Sequence, residues 1–298
     1  MKRYLKWVGL AIGGVLTLLV LLILILAGIG GMRVNKTFDI QVASVDVPTD
    51  SASLERGRHF VETVGLCQQC HGDNYEGQIL SEDPLFGRFA PPNLTSGKGG
   101  VGGSLTDIDY VRAIRHGVGS DCKALFIMPS EAFHRFGDED LGAMIAYLKS
   151  VPPVDNDVAQ SRVRLIARIL TLFDDKALFA ANQINHDAPR PVAPSIEVTA
   201  EYGEYLGTVC SICHGNNLAG GIPLNDFNAF APNLTPAGVL GVWTESDFIS
   251  TIRTGVTPGR NKLDEEDMPW KRFRMMSDDE LKAIWLYLQS VPPAALER

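Results

Sequence analysis

Hydrophobic positions along this chain fall into three kinds of run. The first is continuous. From Trp7 to Met32 no residue is charged, and at about 1.5 Å per helical residue the run exceeds the roughly 30 Å hydrocarbon core of a bilayer. It predicts a transmembrane helix. Lys2, Arg3 and Lys6 precede it, so the positive-inside rule puts the N-terminus in the cytoplasm and the rest of the chain outside. A cleavable signal peptide has a shorter apolar region and a small-residue cleavage motif, so an uncleaved anchor is expected. Gly9 and Gly13 have the spacing of a helix-pairing motif, a weak signal in a membrane span. Residues 34–50 are polar and irregular and read as a tether.

The second kind repeats at helical spacing. Leu54, Phe60, Val61 and Val64 predict a helix from Ser53 to Leu66. Thr106 and Asp109 form a capping-box start for Tyr110, Val111 and Ile114, with Gly117 as the stop. Leu141, Met144, Ile145 and Leu148 mark another amphipathic helix, closed by Pro152-Pro153. Between these helices lies the third kind, with no period at all. From Gly72 to Gly103 the chain is rich in glycine and proline, too long a loop for a compact domain unless something else fills its core.

The whole order then returns. Thr199, Tyr202, Tyr205 and Leu206 open a helix; Pro232-Asn-Leu-Thr235 repeats Pro92-Asn-Leu-Thr95; Thr244 and Asp247 repeat Thr106 and Asp109. Gly255 answers Gly117, Met268-Pro269 answers Met128-Pro129, and Ser277 with Glu280 caps a helix through Leu281, Ile284, Trp285 and Leu288 to Pro292-Pro293. The chain is a tandem duplication. Its predicted segments are 1–33, cytoplasmic N-terminus and anchor; 34–50, tether; 51–154, first domain; 155–197, connector; and 198–298, second domain. In the connector, Val163, Leu165, Ile166, Ile169, Leu170 and Phe173 interleave with Arg162, Arg164 and Arg168 in a helix-like pattern, before a proline-rich strap from Ala188 to Pro194. It either packs across the two domains or presents an amphipathic face to a bilayer or partner.

Each copy carries one pentapeptide that sets its chemistry. Cys67-Gln-Gln-Cys70-His71 recurs as Cys210-Ser-Ile-Cys213-His214, the attachment signature of a c-type haem. The thiols bond to the porphyrin vinyl groups and the imidazole becomes an axial ligand of the iron. A zinc site would gather four ligands, whereas these pairs lie over a hundred residues apart, and a thioredoxin-like pair would sit in a βαβ pattern that is missing. Two covalently bound haem c groups are expected, and they supply what fills the core. Met128 and Met268 occupy matching places, 58 and 55 residues beyond Cys70 and Cys213, and are the expected second axial ligands. A thioether there raises the reduction potential and leaves no open site for substrate. Cys122, His116 and His134 flank Met128 and are the competing candidates, with Cys122 otherwise read as a buried or unpaired thiol and His134 as an ordinary surface or core residue; the second copy has Thr254 in place of His116 and no equivalent of Cys122. Pro92-Asn93 and Pro232-Asn233 are the expected neighbours of each haem. They supply either the acceptor for the other ring nitrogen of His71 and His214 or a bond to a propionate.

Formal net charge is −8. Without Lys2, Arg3 and Lys6, the remainder holds 24 positive against 35 negative residues, or −11. Such a surface argues against nucleic acid and for a basic or neutral protein partner.

The Cys-x-x-Cys-His-Gly motif, the Pro-Asn-Leu-Thr element, the Thr-x-x-Asp helix ending in Ile-Arg-x-Gly, the Met-Pro loop and the terminal Tyr-Leu-x-Ser-Val-Pro-Pro resemble class I cytochrome c domains. More narrowly they resemble the cytochrome subunits of membrane-bound periplasmic alcohol and gluconate dehydrogenases. Those subunits typically carry three haem domains and a C-terminal anchor, whereas this sequence shows two and an N-terminal one. The resemblance implies an all-α fold for the two tandem cytochrome c domains; with the N-terminal transmembrane helix read from the apolar run, it places them after that helix on the periplasmic side of a bacterial inner membrane. One-electron transfer in a respiratory or photosynthetic chain follows, between a redox protein donor and acceptor. A dehydrogenase, a membrane respiratory complex and free-standing carriage all fit that expectation. The rival is a dihaem enzyme of peroxidase or thiosulfate dehydrogenase type with one catalytic haem, which Cys122 keeps open.

Overall fold

A computed structural model describes residues 2–223 and 230–295, so the outermost positions of the predicted segments, residue 1 and residues 296–298, lie outside it. The chain is mostly helical. Helix α1 (Lys2–Val34) is the one described helix long and apolar enough to cross a membrane.

In the first copy, α2 (Ser51–His59) begins two residues before the predicted start because Asp50, not a serine, caps it, accepting from the Ser53 N–H at 3.0 Å. It runs into a wide turn at Phe60–Val64 in which Gly65 N–H reaches Phe60 O, and Leu66, in the left-handed region, ends it. The pentapeptide then forms α3 (Cys67–His71). Next come α4 (Asp107–His116), α5 (Ser130–Phe133) and α6 (Asp138–Ser150). The connector holds α7 (Leu165–Leu170), shorter than its pattern predicts. In the second copy, α8 (Ala200–Gly207), α9 (Ser211–His214), α10 (Glu245–Thr254), α11 (Trp270–Phe273) and α12 (Asp278–Ser290) follow in matching order.

The capping boxes at Thr106/Asp109, Thr244/Asp247 and Ser277/Glu280 all form as the sequence predicts, and Gly117 and Gly255 end α4 and α10. The short helices α5 and α11, which follow Met128-Pro129 and Met268-Pro269, went unpredicted. Four residues carry too little periodicity to announce a helix.

Each copy is built on one helix crossing. A Cβ on Gly57 would lie 2.0 Å from Ala143 O, and one on Gly203 would lie 1.9 Å from Ala283 O. So α2 meets α6, and α8 meets α12, backbone against backbone. Phe60, Leu141, Met144 and Ile145 fill one side of this arrangement, and Leu206, Leu281 and Leu288 fill the other; all are buried.

Two segments differ from expectation. Within the glycine-rich passage, β1 (Ser81–Asp83) and β2 (Gly87–Phe89) form an antiparallel hairpin extended by β3 (Arg162–Val163) of the connector. Residues 34–50, expected as a tether, instead lie along the first copy. Val42, Val45 and Val47 pack on its core, and the Phe38 N–H donates to Cys122 O at 2.8 Å.

Candidate functional site

The two pentapeptides are held in near-identical frames. After α3 the chain turns through Gly72, and the Gly77 N–H donates to His71 O at 2.7 Å; after α9 the Gly220 N–H donates to His214 O at 2.9 Å. Both glycines lie six residues past the histidine with φ of +74° and +75°. A Cβ there would come within 2.5 Å of Asn93 N or 2.6 Å of Pro232 C. Only glycine fits so close an approach at that backbone angle. The sequence reading missed this pair, although the matching His-x5-Gly spacing was a usable signal.

What that approach positions is a carbonyl. His71 Nδ1 lies 2.9 Å from Pro92 O and His214 Nδ1 lies 2.8 Å from Pro232 O. A carbonyl can only accept, so each Nδ1 carries the proton and each Nε2 is left with a free lone pair. Burial holds both imidazoles below the usual histidine range, with the proline carbonyls pulling the other way.

Asn93 and Asn233 are buried and spoken for by the chain. Asn93 Nδ2 donates to Val154 O at 2.8 Å, and Asn233 Nδ2 donates to Ala294 O at 2.7 Å. Their Oδ1 atoms accept from the Thr95 and Thr235 N–H groups at 2.9 and 2.8 Å. Thr95 Oγ1 accepts from Val154 N–H, and Thr235 Oγ1 from Ala294 N–H. The Pro-Asn-Leu-Thr element is therefore a clasp: it ties the segment after Pro152-Pro153 or Pro292-Pro293 to the loop whose proline carbonyl aims the histidine.

None of the four pentapeptide thiols forms a disulfide. Burial pushes Cys67 and Cys210 up to about 12, and the companion thiol adds to it. Cys70 and Cys213 are raised as well, chiefly by burial, and Cys70 further by Cys213 of the other copy. Two consequences follow. A reactive redox pair needs a lowered thiol pKa, the opposite of what is found. The two pentapeptides also stand near enough to influence one another across the copies.

Met128 and Met268 are half-buried against the core. Each precedes a proline with ψ near +54° and accepts at its backbone oxygen from the N–H two residues on, Ser130 at 2.8 Å and Trp270 at 2.6 Å. The rival side chains have other engagements. His116 Nδ1 lies 3.1 Å from His186 Nδ1 of the connector, and burial with that neighbour lowers its pKa to about 4. His134 Nδ1 faces Glu131 O at 2.7 Å. Cys122 sits in a tight turn, its N–H on Gly119 O and its carbonyl on Phe38 N–H.

The donor set suits a large group with a metal at its centre and attachment points at its edge. Each pentapeptide brings two neutral thiols and one imidazole with Nε2 free. Among the described residues, no three His, Cys, Asp or Glu side chains converge on one point as an ion cage. Thiols that bond a porphyrin edge while the imidazole meets its centre have no need to converge. Trp270 Nε1, two residues after Met268, and Gln68 Oε1, inside the first pentapeptide, are buried with no partner in the chain, as edges awaiting a polar substituent would be.

No protein-family model matches the chain. Among curated proteins, the chain is similar to several named as cytochrome c subunits of dehydrogenases. In particular, the chain is 26% identical over 277 residues to the cytochrome c subunit of alcohol dehydrogenase (quinone) from Gluconacetobacter polyoxogenes, covering 82% of this chain and 57% of that protein. It is 26% identical over 273 residues to the fructose dehydrogenase cytochrome subunit of Gluconobacter japonicus, covering 82% and 53%. It is 25% identical over 282 residues to the gluconate 2-dehydrogenase cytochrome c subunit of Pantoea cypripedii, covering 84% and 62%. The chain thus spans a little over half the length of these relatives. The resemblance read from the motifs is met.

Proposed function

We propose that this chain is a membrane-anchored dihaem c-type cytochrome that carries electrons singly on the periplasmic side of a bacterial inner membrane, accepting them from a dehydrogenase. The observation that carries the reading is the duplicated histidine frame: two Cys-x-x-Cys-His turns, each with Nδ1 bound to a proline carbonyl and Nε2 free.

When bound, each haem would supply a reversible one-electron iron couple. The protein's part is to hold it. Cys67 and Cys70, and Cys210 and Cys213, form the thioethers that keep the group in an exported protein. His71 and His214 would hold the iron through Nε2, with the Pro92 and Pro232 carbonyls fixing the tautomer. Met128 and Met268 would add a soft neutral thioether donor, which would raise the potential and leave no position for substrate. The segments are those given above, 1–33 and 34–50, then copies at 51–154 and 198–298 about the connector 155–197. Two such turns in one chain support a relay in which one site receives and the other delivers. Helix α1 supports anchorage, with the N-terminus cytoplasmic.

Carbon monoxide provides the test. The ferrous full-length chain, purified in detergent, is expected to bind none, because both irons carry two protein ligands. Stoichiometric binding at one haem would overturn the carrier reading in favour of an enzyme with one open iron. Recovery of a dehydrogenase catalytic subunit with the chain from solubilised membranes is the expected companion result.

A further inference from the structure

The connector is not a free link. Ala27 and Gly30, one turn apart near the end of α1, are buried. A Cβ on Gly30 would lie 1.9 Å from Arg168 O, so α7 touches the α1 backbone directly, and Arg33 Nη1 donates to Thr171 O at 2.7 Å. The contact falls where the uncharged run ends, at Met32.

The same unit carries the hairpin tip. Arg164 N–H donates to Phe86 O at 2.9 Å, Ile166 N–H donates to Leu85 O at 3.0 Å, and Gly87 pairs with Val163. The end of α1, α7 and Pro84-Leu85-Phe86 therefore move together. Apolar side chains stand out from this unit: Phe173 is 83% exposed, Leu85 51% and Phe86 49%, with Leu165 and Leu170 also exposed. They continue the exposed apolar surface of α1 at Ile29 and Met32.

Charge separates this surface from the rest of the exported chain. Residues 158–173 hold Arg162, Arg164 and Arg168 and no acid, in a part of the protein with 24 positive against 35 negative residues. Arg164 and Arg168 donate to the Pro84 and Val163 carbonyls, as Arg33 does to Thr171, and Arg164 also helps hold the Glu82 and Asp83 carboxylates below their usual range. Of the nearby carboxylates, Glu82 is engaged by Arg88 at 2.6 Å, and Asp83 accepts from the Leu85 and Phe86 N–H groups; Asp174 and Asp175 follow Phe173.

We propose that α7 and the β1–β2 tip form a second membrane contact, seated on the headgroup layer of an anionic bilayer beside the span. This rests on the reading of α1 as that span. Apolar side chains flanked by arginine suit the boundary between acyl chains and phosphates, and a surface continuous with a lipid-covered helix meets lipid first. Such seating fixes the height of the first copy above the membrane, because β2, α7 and residues 34–50 all hold to it.

Photo-crosslinking of the full chain tests this in nanodiscs of phosphatidylethanolamine and phosphatidylglycerol containing a lipid with a diazirine near its headgroup. Mass spectrometry is expected to find adducts on residues 84–86 and 165–173 as well as on α1, and none around Val242, an apolar residue 87% exposed in the second copy. A Leu85→Glu, Phe173→Glu double variant changes exposed positions only, and should cut those adducts several-fold with α1 labelling unchanged. Adducts on α1 alone, in a chain that resists carbonate extraction, overturn the proposal and leave the surface to a protein. Equal labelling around Val242 overturns it too. Release by carbonate with no adduct on α1 brings down the span reading itself and the seating with it.

Discussion

Asn93 and Asn233 show what single residues contribute to both frames. Each makes a donor bond and an acceptor bond while buried, so Asn93→Ala leaves the Thr95 N–H without a partner and takes one of the two donors, the other being the Thr95 hydroxyl, from the Val154 carbonyl. Unpaired buried groups cost about 1–3 kcal/mol. A fall in Tm of roughly 5 °C is expected by calorimetry, and an unchanged Tm would refute the clasp. His116 gives a second prediction. Its folded pKa, near 4, lies below the ordinary histidine value, so the unfolded chain takes up a proton first as pH falls. Stability should be full above about pH 6.5 and decline towards pH 4. Denaturant unfolding at pH 7 and pH 5 should show a drop for the wild type that His116→Asn reduces; parallel drops would contradict it. The sequence marked Pro-Asn-Leu-Thr as the neighbour of the histidine but could not name the accepting atom. Proline carbonyl, asparagine amide and threonine hydroxyl are equally able to bond, and only the backbone path past Gly77 or Gly220 selects among them. His116 read as a rival ligand because sequence proximity to Met128 is visible and its partner His186, seventy residues away, is not.

Among the elements, the crossings of α2 with α6 and α8 with α12 are the frames on which the pentapeptides hang. Gly203→Ala places a methyl where Ala283 O stands, and the helices must part. Overpacking of this kind costs about 1–3 kcal/mol. The expected sign is a lowered unfolding midpoint with the helical signal of the folded state retained; an unaffected midpoint would show that the helices stand further apart. Helices with capping boxes were legible end to end, since Thr106, Thr244 and Ser277 bond to residues three places on. The β1–β2–β3 sheet was not. Ser81, Glu82 and Asp83 are all exposed and show no alternation, and their pairing depends on backbone groups of Arg88 and Arg162 that carry no local mark.

Across the whole molecule the two copies meet about an approximate twofold relation. The turn Phe60–Val64 of the first copy packs on α11 of the second, as the turn Thr208–Cys210 of the second packs on α5 of the first. Side chains repeat the exchange. His59 Nε2 lies 2.7 Å from Glu280 Oε1, and Tyr205 OH donates to Asp140. Burial would raise Glu280, but His59 and Ser277 together outweigh it and hold it below the usual carboxylate range. Asp140 is fully buried, receives Arg56 of its own copy, and shares Tyr205 OH with the Gly137 N–H, which donates to that hydroxyl at 2.9 Å. Asp140→Ala strips a half-buried guanidinium of its partner and the Tyr205 hydroxyl of its acceptor, at a cost of roughly 3–5 kcal/mol. Calorimetry should then resolve two transitions where the wild type gives one; a single unshifted transition would deny the coupling. The duplication was plain from paired motifs, whereas this junction was not, because its members lie on different copies and each reads alone as an ordinary surface residue.

The account turns on two covalent haem groups per chain, and a pyridine haemochrome spectrum with a protein concentration counts them. Two per polypeptide are predicted, falling to one when Cys67 and Cys70 are both changed to serine and to one when Cys210 and Cys213 are. One group in the unaltered chain, or none, would contradict it.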